Sequence, residues 1–449
     1  MQMHYRPIKR ACFSLFMASL LAAMATSAHA KGDLSQEIGR LHDSLQAPLR
    51  HGDEVAKKFV ADWVDVRSFS RHTFGDYLEE SLESYEKVLS RDEFRELVAE
   101  YEAQLTDALS ERLIRDLSQQ FNQPSLHGLK LRALEMQDGR GSLQLSALRP
   151  GNATVTLEAG LLLRDGRWQI DKLAIGDTDL SSYYRQQCRD IIDGLYSVPV
   201  LISRLADRDY IVIDDFSTTP KGQRPRDWGA WRDKDQGKPL LYQVQEMGDH
   251  HYLAASDSGH SVILGKFVHW NPREYPIMTW CWRANVLPPG GNEFLNHAND
   301  SAAGIYVIFS QNWLRVPKQV KYVWSSTLPE GTVGRRNKIF RPWFFVVESG
   351  EENVGKWAFE MVDLEHDHKL KLGGRPAEST IGLGLLTDAN STNSYAEAFY
   401  ADIRVWKREA MGQNQIKNHC GDLPRGTMPT ALRNDTHLGF SGEPNQQGK

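Results

Sequence analysis

Three stretches of the 449-residue chain carry residue types that could do chemistry. Glu365-His366-Asp367-His368 sets imidazoles and carboxylates at a density that can ligate zinc. It follows a strand-like run at 357–364, and alternation then sends His366 and His368 to one face and Asp367 to the other. Two ligands are left where a zinc site wants three or four, so the stretch reads as a solvated strand end. Asp249-His250-His251 is isolated in the same way. Asp388, Asn390 and Asn393 offer oxygens of the kind Ca²⁺ takes, but an Asx-rich turn needs no ion. The turn is the reading adopted, and no metal or cofactor is expected.

Covalent catalysis finds no footing: there is no Gly-x-Ser-x-Gly elbow, and no Cys stands near a His in a recognisable context. Carboxylates are abundant enough for a glycosidase pair, but nothing marks one. Twelve tryptophans, most of them in the second half, offer a sugar-stacking platform, although strand aromatics are more often core.

Arg6, Lys9 and Arg10 precede an apolar core and the small-x-small site Ala28-His29-Ala30. This is the pattern of a cleaved export leader over 1–30; its apolar run is too short to span a bilayer. Losing those three bases takes the formal charge from −5 to −8. That balance argues against nucleic acid as a partner, and against electrostatic attachment to an anionic membrane. Three cysteines then remain, Cys188, Cys281 and Cys420, enough for at most one bridge with one thiol over. Cys281, in the run MTWCW, reads as a buried small hydrophobe.

The elements that would position any site change type along the chain. From 33 to 119 the periods are helical, beginning with Leu34, Ile38, Leu41 and Leu45, then Val55, Phe59, Val60 and Trp63, then Phe69, Phe74, Tyr77, Leu78 and Leu82. Ser90-Arg91-Asp92-Glu93 is a capping box that opens a long helix with Phe94, Leu97, Tyr101, Leu105, Leu109 and Leu113 on one stripe. Strands follow at 129–135 and 142–148. A hairpin comes next, with Val155, Leu157, Ala159 and Leu161 on one face, Asp165-Gly166 at the corner, and Trp168 and Ile170 on the return. The parity change at Asp171-Lys172 predicts a bulge. Helices followed by strands make an α+β domain with helices over a curved antiparallel sheet.

From Tyr210 the chain turns to strands, at 251–257, 261–270, 276–286, 302–309, 320–326, 341–350, 356–364 and 397–407. Their spacing and their Trp, Tyr, Phe and Val content are those of a two-sheet sandwich, with 278–286 as a central strand. After Arg408 the polar, turn-rich sequence reads as a disordered tail. The expected divisions are therefore a leader at 1–30, an α+β domain at 31–207, an all-β domain at 208–409 and a tail at 410–449.

Particular residues carry a resemblance. Phe69, Phe74-Gly75, Tyr77, Phe94 and Tyr101, with Asp165-Gly166-x-Trp168, Gly176, Leu180, Tyr184-Arg185-x-Gln187 and Leu201-Ile202-x-x-Leu205, resemble the MlaC-type (toluene-tolerance) family of periplasmic phospholipid carriers. The pattern departs at Asp177-Thr178-Asp179 and at Cys188, where the family has an apolar residue with Ser and an aromatic. The second half resembles an exported jelly-roll family known only as a domain of unknown function. The matching pieces are Asp215-Phe216, Trp280-x-Trp282-Arg283, Tyr322-Val323-Trp324, Trp357-x-x-Glu360, Thr387-Asp388-x-Asn390 and Tyr400-x-x-Ile403.

The first resemblance implies a site without catalytic residues. Phe69, Phe74, Leu78, Phe94, Tyr101, Leu105, Leu157, Leu161, Trp168 and Ile170 would wall a lipid pocket, although stripes at such spacing first of all make a core. Carrying a two-chain lipid through water exposes some thirty methylenes at about 0.8 kcal/mol each, or about 25 kcal/mol, which apolar walls must offset. The expected protein is a non-enzymatic periplasmic carrier of phospholipid or a similar amphiphile. It would hand its cargo between membrane-bound transport partners, as an auxiliary component of an ABC transporter, with a β-sandwich that docks on a partner or an envelope glycan. A carbohydrate-binding envelope protein and a glycan or lipid hydrolase are the alternatives.

Overall fold

The computed structural model describes residues 52–121, 127–148, 154–238, 241–314, 316–336 and 341–423. The expected leader and the segment with Leu34, Ile38, Leu41 and Leu45 lie outside them. The chain divides into two units: the first takes the chain up to Glu83, Val98–Gly194 and Arg204–Asp207, the second Ser84–Leu97, Leu195–Ser203 and the chain from Arg208.

Helices α1 (Gly52–Trp63), α2 (Val66–Glu86) and α3 (Arg91–Phe121) come first. The capping box forms as expected: Ser90 N donates to Glu93 Oε2 at 2.9 Å and Glu93 N to Ser90 Oγ at 3.3 Å. Strands β1 (His127–Gln137), β2 (Arg140–Leu148), β3 (Thr154–Arg164), β4 (Arg167–Ile175) and β5 (Thr178–Asp179) then form one antiparallel sheet in chain order. The β1–β2 and β3–β4 corners are Asp-Gly pairs with positive φ, 49° and 77° at Asp138-Gly139 and 50° and 77° at Asp165-Gly166, as a type I′ hairpin requires. The predicted bulge is present. Gly160 pairs with Lys172 and Leu161 with Ile170, so Asp171 is the extra residue. It lets Ile170 and Leu173, three apart, both be buried. Helices α4 (Leu180–Gln187), α5 (Arg189–Asp193) and α6 (Val198–Ala206) follow.

Ion pairs fasten these layers at their rims. Glu102 on α3 accepts Arg67 Nη2 at 2.8 Å and Arg71 Nη2 at 2.9 Å from α2. Arg164, at the end of β3, reaches Asp65 at 2.9 Å, and Asp65 N donates to Ile170 O at 2.9 Å. Arg185 on α4 binds Asp76 through both terminal nitrogens.

The second unit is mostly β, in two sheets. Strands β7 (Trp228–Ala230), β10 (Leu264–Phe267), β12 (Ala303–Gln311), β13 (Pro317–Ser325), β14 (Val333–Gly334), β15 (Trp343–Ser349) and β17 (Gly382–Leu385) form one, in the order β14-β15-β13-β12-β17-β10-β7. The other runs β16 (Ala358–Asp363), β11 (Ile277–Val286), β18 (Ala396–Trp406), β9 (His250–Asp257), β8 (Tyr242–Met247), with β6 (Tyr210–Asp214) also paired to β18. All pairings are antiparallel except β13 with β15. As the two-sided apolar pattern predicts, β11 is central, between β16 and β18. Aromatic rings bridge the sheets, Trp280 with Tyr322 at 5.6 Å and Trp282 with Trp324 at 6.1 Å.

Two expectations fail at the C-terminus. The polar sequence after Arg408 is structured to Leu423, with helix α8 (Glu409–Gly412), a 3₁₀ turn at Cys420–Asp422 and buried Ala410 and Cys420; residues 424–449 lie outside the described ones. Cys281 is not a lone small hydrophobe but is bonded to Cys420, and Cys188 is the free thiol. Both errors have one cause: the outer face of β11 needs a cover, and the covering segment is too polar to read as core.

Candidate functional site

In the first unit, α2 presents Phe69, Phe74 and Leu78, α3 presents Tyr101 and Leu105, and the sheet presents Leu161 and Ile170. All seven side chains are buried. Phe69 meets Tyr184 edge-on at 6.3 Å, and the Tyr184 hydroxyl donates to Asp116 at 3.1 Å. Burial and the Asp116 carboxylate both push the Tyr184 phenol well above its usual range, so it stays a neutral donor. Trp168 is half-buried, beside the hairpin corner, and the Leu157 side chain lies outside the described residues. Phe94 is a correction: it is half-buried and belongs to the second unit. At about 1.5 Å per residue the 31-residue α3 is about 45 Å long, and its first residues, up to Leu97, group with the second unit.

The family departures have local explanations. Gly176 has φ +59°, and Asp179 caps α4 by accepting Ser182 N at 2.7 Å. Gly176-Asp177 is therefore the turn from β4 to β5, and Asp179 ends β5 and caps α4. Burial raises the Cys188 thiol to about 12, so it is inert packing.

The His-rich stretch is not a strand end. Helix α7 (Leu364–Lys371) begins there, capped by Asp363, which accepts His366 N at 3.0 Å. His366 is exposed, while His368 is buried against Phe309, with Nδ1 3.2 Å from Gly374 O. Asp367 accepts the Tyr322 hydroxyl at 2.8 Å. His366 Nδ1 lies 3.1 Å from Asp367 Oδ1, but His368 is buried away from them, and no three-ligand group forms here among the described residues. In the turn after β17, Asp388 is buried whereas Asn390 and Asn393 are exposed, and Asn393 has φ +52°. Asp300 holds that turn by accepting Ser391 N at 3.1 Å and Thr392 N at 2.6 Å. Asp388 itself is raised to about 7, first by burial and then by Asp300 and Asp257, against the opposing pull of Lys321. Of the tryptophans that could form a stacking platform, Trp228, Trp270, Trp280, Trp282 and Trp324 are fully buried, whereas Trp313 is exposed.

One cluster was missed. Cys281, His419 and Cys420 bring their ligand atoms within 4.8 Å of one another, and His419 Nε2 is paired with Asp402. The adjacent His419-Cys420 was the available signal, hidden by the tail-like sequence around it.

Residues 226–404 match the family model described as a protein of unknown function, DUF3047. No curated protein matches the chain. Among solved structures, the phospholipid-binding protein from Ralstonia solanacearum, in complex with a phospholipid, is similar at 15% identity, with a TM-score of 0.28 over 37% of this chain and 84% of its own. A likeness at that score carries neither fold nor ligand across to this chain.

Proposed function

We propose that the chain is a periplasmic, non-enzymatic carrier of phospholipid or a similar amphiphile. Residues 31–207 would be an MlaC-like carrier domain that exchanges cargo with membrane-bound partners, and 208–409 a jelly-roll docking domain. The observation that carries the reading is that Phe69, Phe74, Leu78, Tyr101, Leu105, Leu161 and Ile170, drawn from two helices and two strands of one unit, are all buried. Phe69, Phe74 and Tyr101 among them stand at positions of the MlaC-type motif. Charge pairs Arg67–Glu102, Arg164–Asp65 and Arg185–Asp76 join the elements that carry this apolar set. Parting such a seam exposes hydrocarbon, and an acyl chain entering it would restore the burial.

Native mass spectrometry of protein purified from cells, paired with uptake from labelled phospholipid vesicles, tests the reading. The expected outcome is about one lipid per chain, and at least a tenfold fall in uptake for Leu105→Trp or Leu161→Trp in protein that remains folded. Lipid-free protein that also takes up nothing from vesicles would sink the proposal.

A second reading, acid-base hydrolysis on the second unit, is favoured by Glu360. Burial raises its carboxyl to about 8 against the Trp282 indole, whose Nε1 donates at 3.0 Å, and a carboxyl in that range can act as a general acid. Activity on a glycan and lipid panel that Glu360→Gln abolishes would favour it over the carrier.

A further inference from the structure

We infer that Cys281, Cys420, His419 and Asp402 form a four-ligand Zn²⁺ site when the two cysteines are in the thiol state, so that the disulfide and the metal are alternative occupants of one place. The inference is independent of the carrier reading and concerns the second unit alone.

The backbone supplies the first argument. Trp280 of β11 faces both Asp402 and Ile403 of β18, because Thr279 pairs with Arg404 and Cys281 with Ala401. The extra residue is Asp402, with φ +49°, a conformation uncommon for a non-glycine residue within a strand. Simple alternation along β18 would place Asp402 with the inward-facing Tyr400, opposite to Phe399 and Ala401. The bulge instead brings its carboxylate to His419, beside Cys281, which shares an outer apolar cluster with Phe399, Ala401 and Cys420. Bulges that re-aim a side chain and strained residues both gather at functional sites. A disulfide that only staples a segment needs no such device.

Ligand geometry is the second argument. His419 Nδ1 lies 3.1 Å from the carbonyl of Lys417, the kind of contact that orients a metal-binding imidazole, and its Nε2 faces Asp402, from which it would turn to the metal on losing its proton. That Nε2 is 3.6 Å from Cys281 Sγ. Two ligands on one tetrahedral zinc, with bonds of about 2.3 Å to sulfur and about 2.0 Å to nitrogen, stand about 3.5 Å apart. Cys420 follows His419 directly, and its N–H donates to Asn418 Oδ1 at 3.1 Å, which holds the two neighbours in one turn.

The chemistry balances. A phosphine and one water reduce the disulfide: the phosphine gives two electrons and leaves as its oxide with the water oxygen, and the two water protons go to the thiols. On Zn²⁺ binding each thiol releases its proton to solvent, and any proton on His419 Nε2 leaves too. Two thiolates and one carboxylate around Zn²⁺ leave one net negative charge. Arg404, whose Nε donates to the other oxygen of Asp402 at 2.6 Å, offsets it.

The test uses the full chain carrying Cys188→Ala, so that the third thiol cannot bind metal. It is reduced with a phosphine under nitrogen in the presence of Co²⁺ or Zn²⁺. The expected result is one metal per reduced chain, with a thiolate-to-cobalt charge-transfer band and the strong visible absorption of tetrahedral Co²⁺, and none in the oxidised chain. Cys420→Ser should abolish the band, and H419Q and D402N, which leave the disulfide intact before reduction, should each weaken binding at least tenfold. The inference is overturned if reduced protein with native near-UV circular dichroism takes up no stoichiometric Co²⁺. It is equally overturned if uptake is indifferent to H419Q and D402N, or if the chain unfolds on reduction whether or not Zn²⁺ is present.

Discussion

Asp388 shows how a single side chain can carry an energetic burden. It is 4% exposed, and one carboxyl oxygen has no hydrogen-bond partner among the described residues. With its folded value raised to about 7 from an ordinary 3.8, the native state holds a proton that the unfolded chain has released. Stability from this group is therefore fully present below about pH 4 and is lost as pH rises toward 7. Asp388→Asn should remove that loss. Its unfolding free energy should be flatter between pH 4 and 7 than that of the parent, by up to about 1.4 kcal/mol per pH unit, as measured by guanidinium titrations across that range. Parallel pH profiles for the two proteins would contradict the assignment. A feature of this kind is invisible in sequence, where Asp388 belongs to a polar turn-forming run and only burial by the surrounding strands raises it.

Among the elements, the β3–β4 hairpin was the most legible, because Asp165-Gly166 and the parity change at Asp171 are local signals. The structure adds the reason that the opposite residue is glycine. A Cβ on Gly160 would lie 2.7 Å from Asp171 Oδ1, so bulge and glycine fit as a pair. Gly160→Ala should then destabilise the first unit by about 1–3 kcal/mol, the usual cost of overpacking. Gly160→Ala combined with Asp171→Gly should recover most of it. Circular dichroism melts of the three proteins measure this, and a neutral single variant would refute the account. The strand expected at 357–364 was found, but its continuation through Glu365-His366-Asp367-His368 was not. The Asp363 cap turned the chain into α7, which leaves His366 beside Asp367 and buries His368 apart from them.

At the scale of the molecule, the Cys281–Cys420 bond closes a loop of 139 residues within the second unit. Cross-links over loops of that order stabilise by roughly 2–5 kcal/mol. Reduction in a chelator, or Cys420→Ser, should lower the stability of this unit by that amount. Guanidinium unfolding followed by tryptophan fluorescence is the measurement, since most tryptophans lie there. A reduced protein with an unchanged midpoint would show that the covering segment is held by packing alone.

The sequence alone determined the order of helices and then strands, the central position of β11, the hairpin corners and the capping box. Each of these is encoded in residues only a few positions apart, through period, turn chemistry and propensity. It also proposed the apolar set of the first unit, although it enrolled Phe94, which the length of α3 carries into the other unit. Only the tertiary structure decided which cysteines meet, where the polar C-terminal segment packs, which aromatics are core and which carboxyl is raised. Those outcomes depend on groups brought together from about forty to more than a hundred residues apart, and on the desolvation that follows, neither of which leaves a local trace.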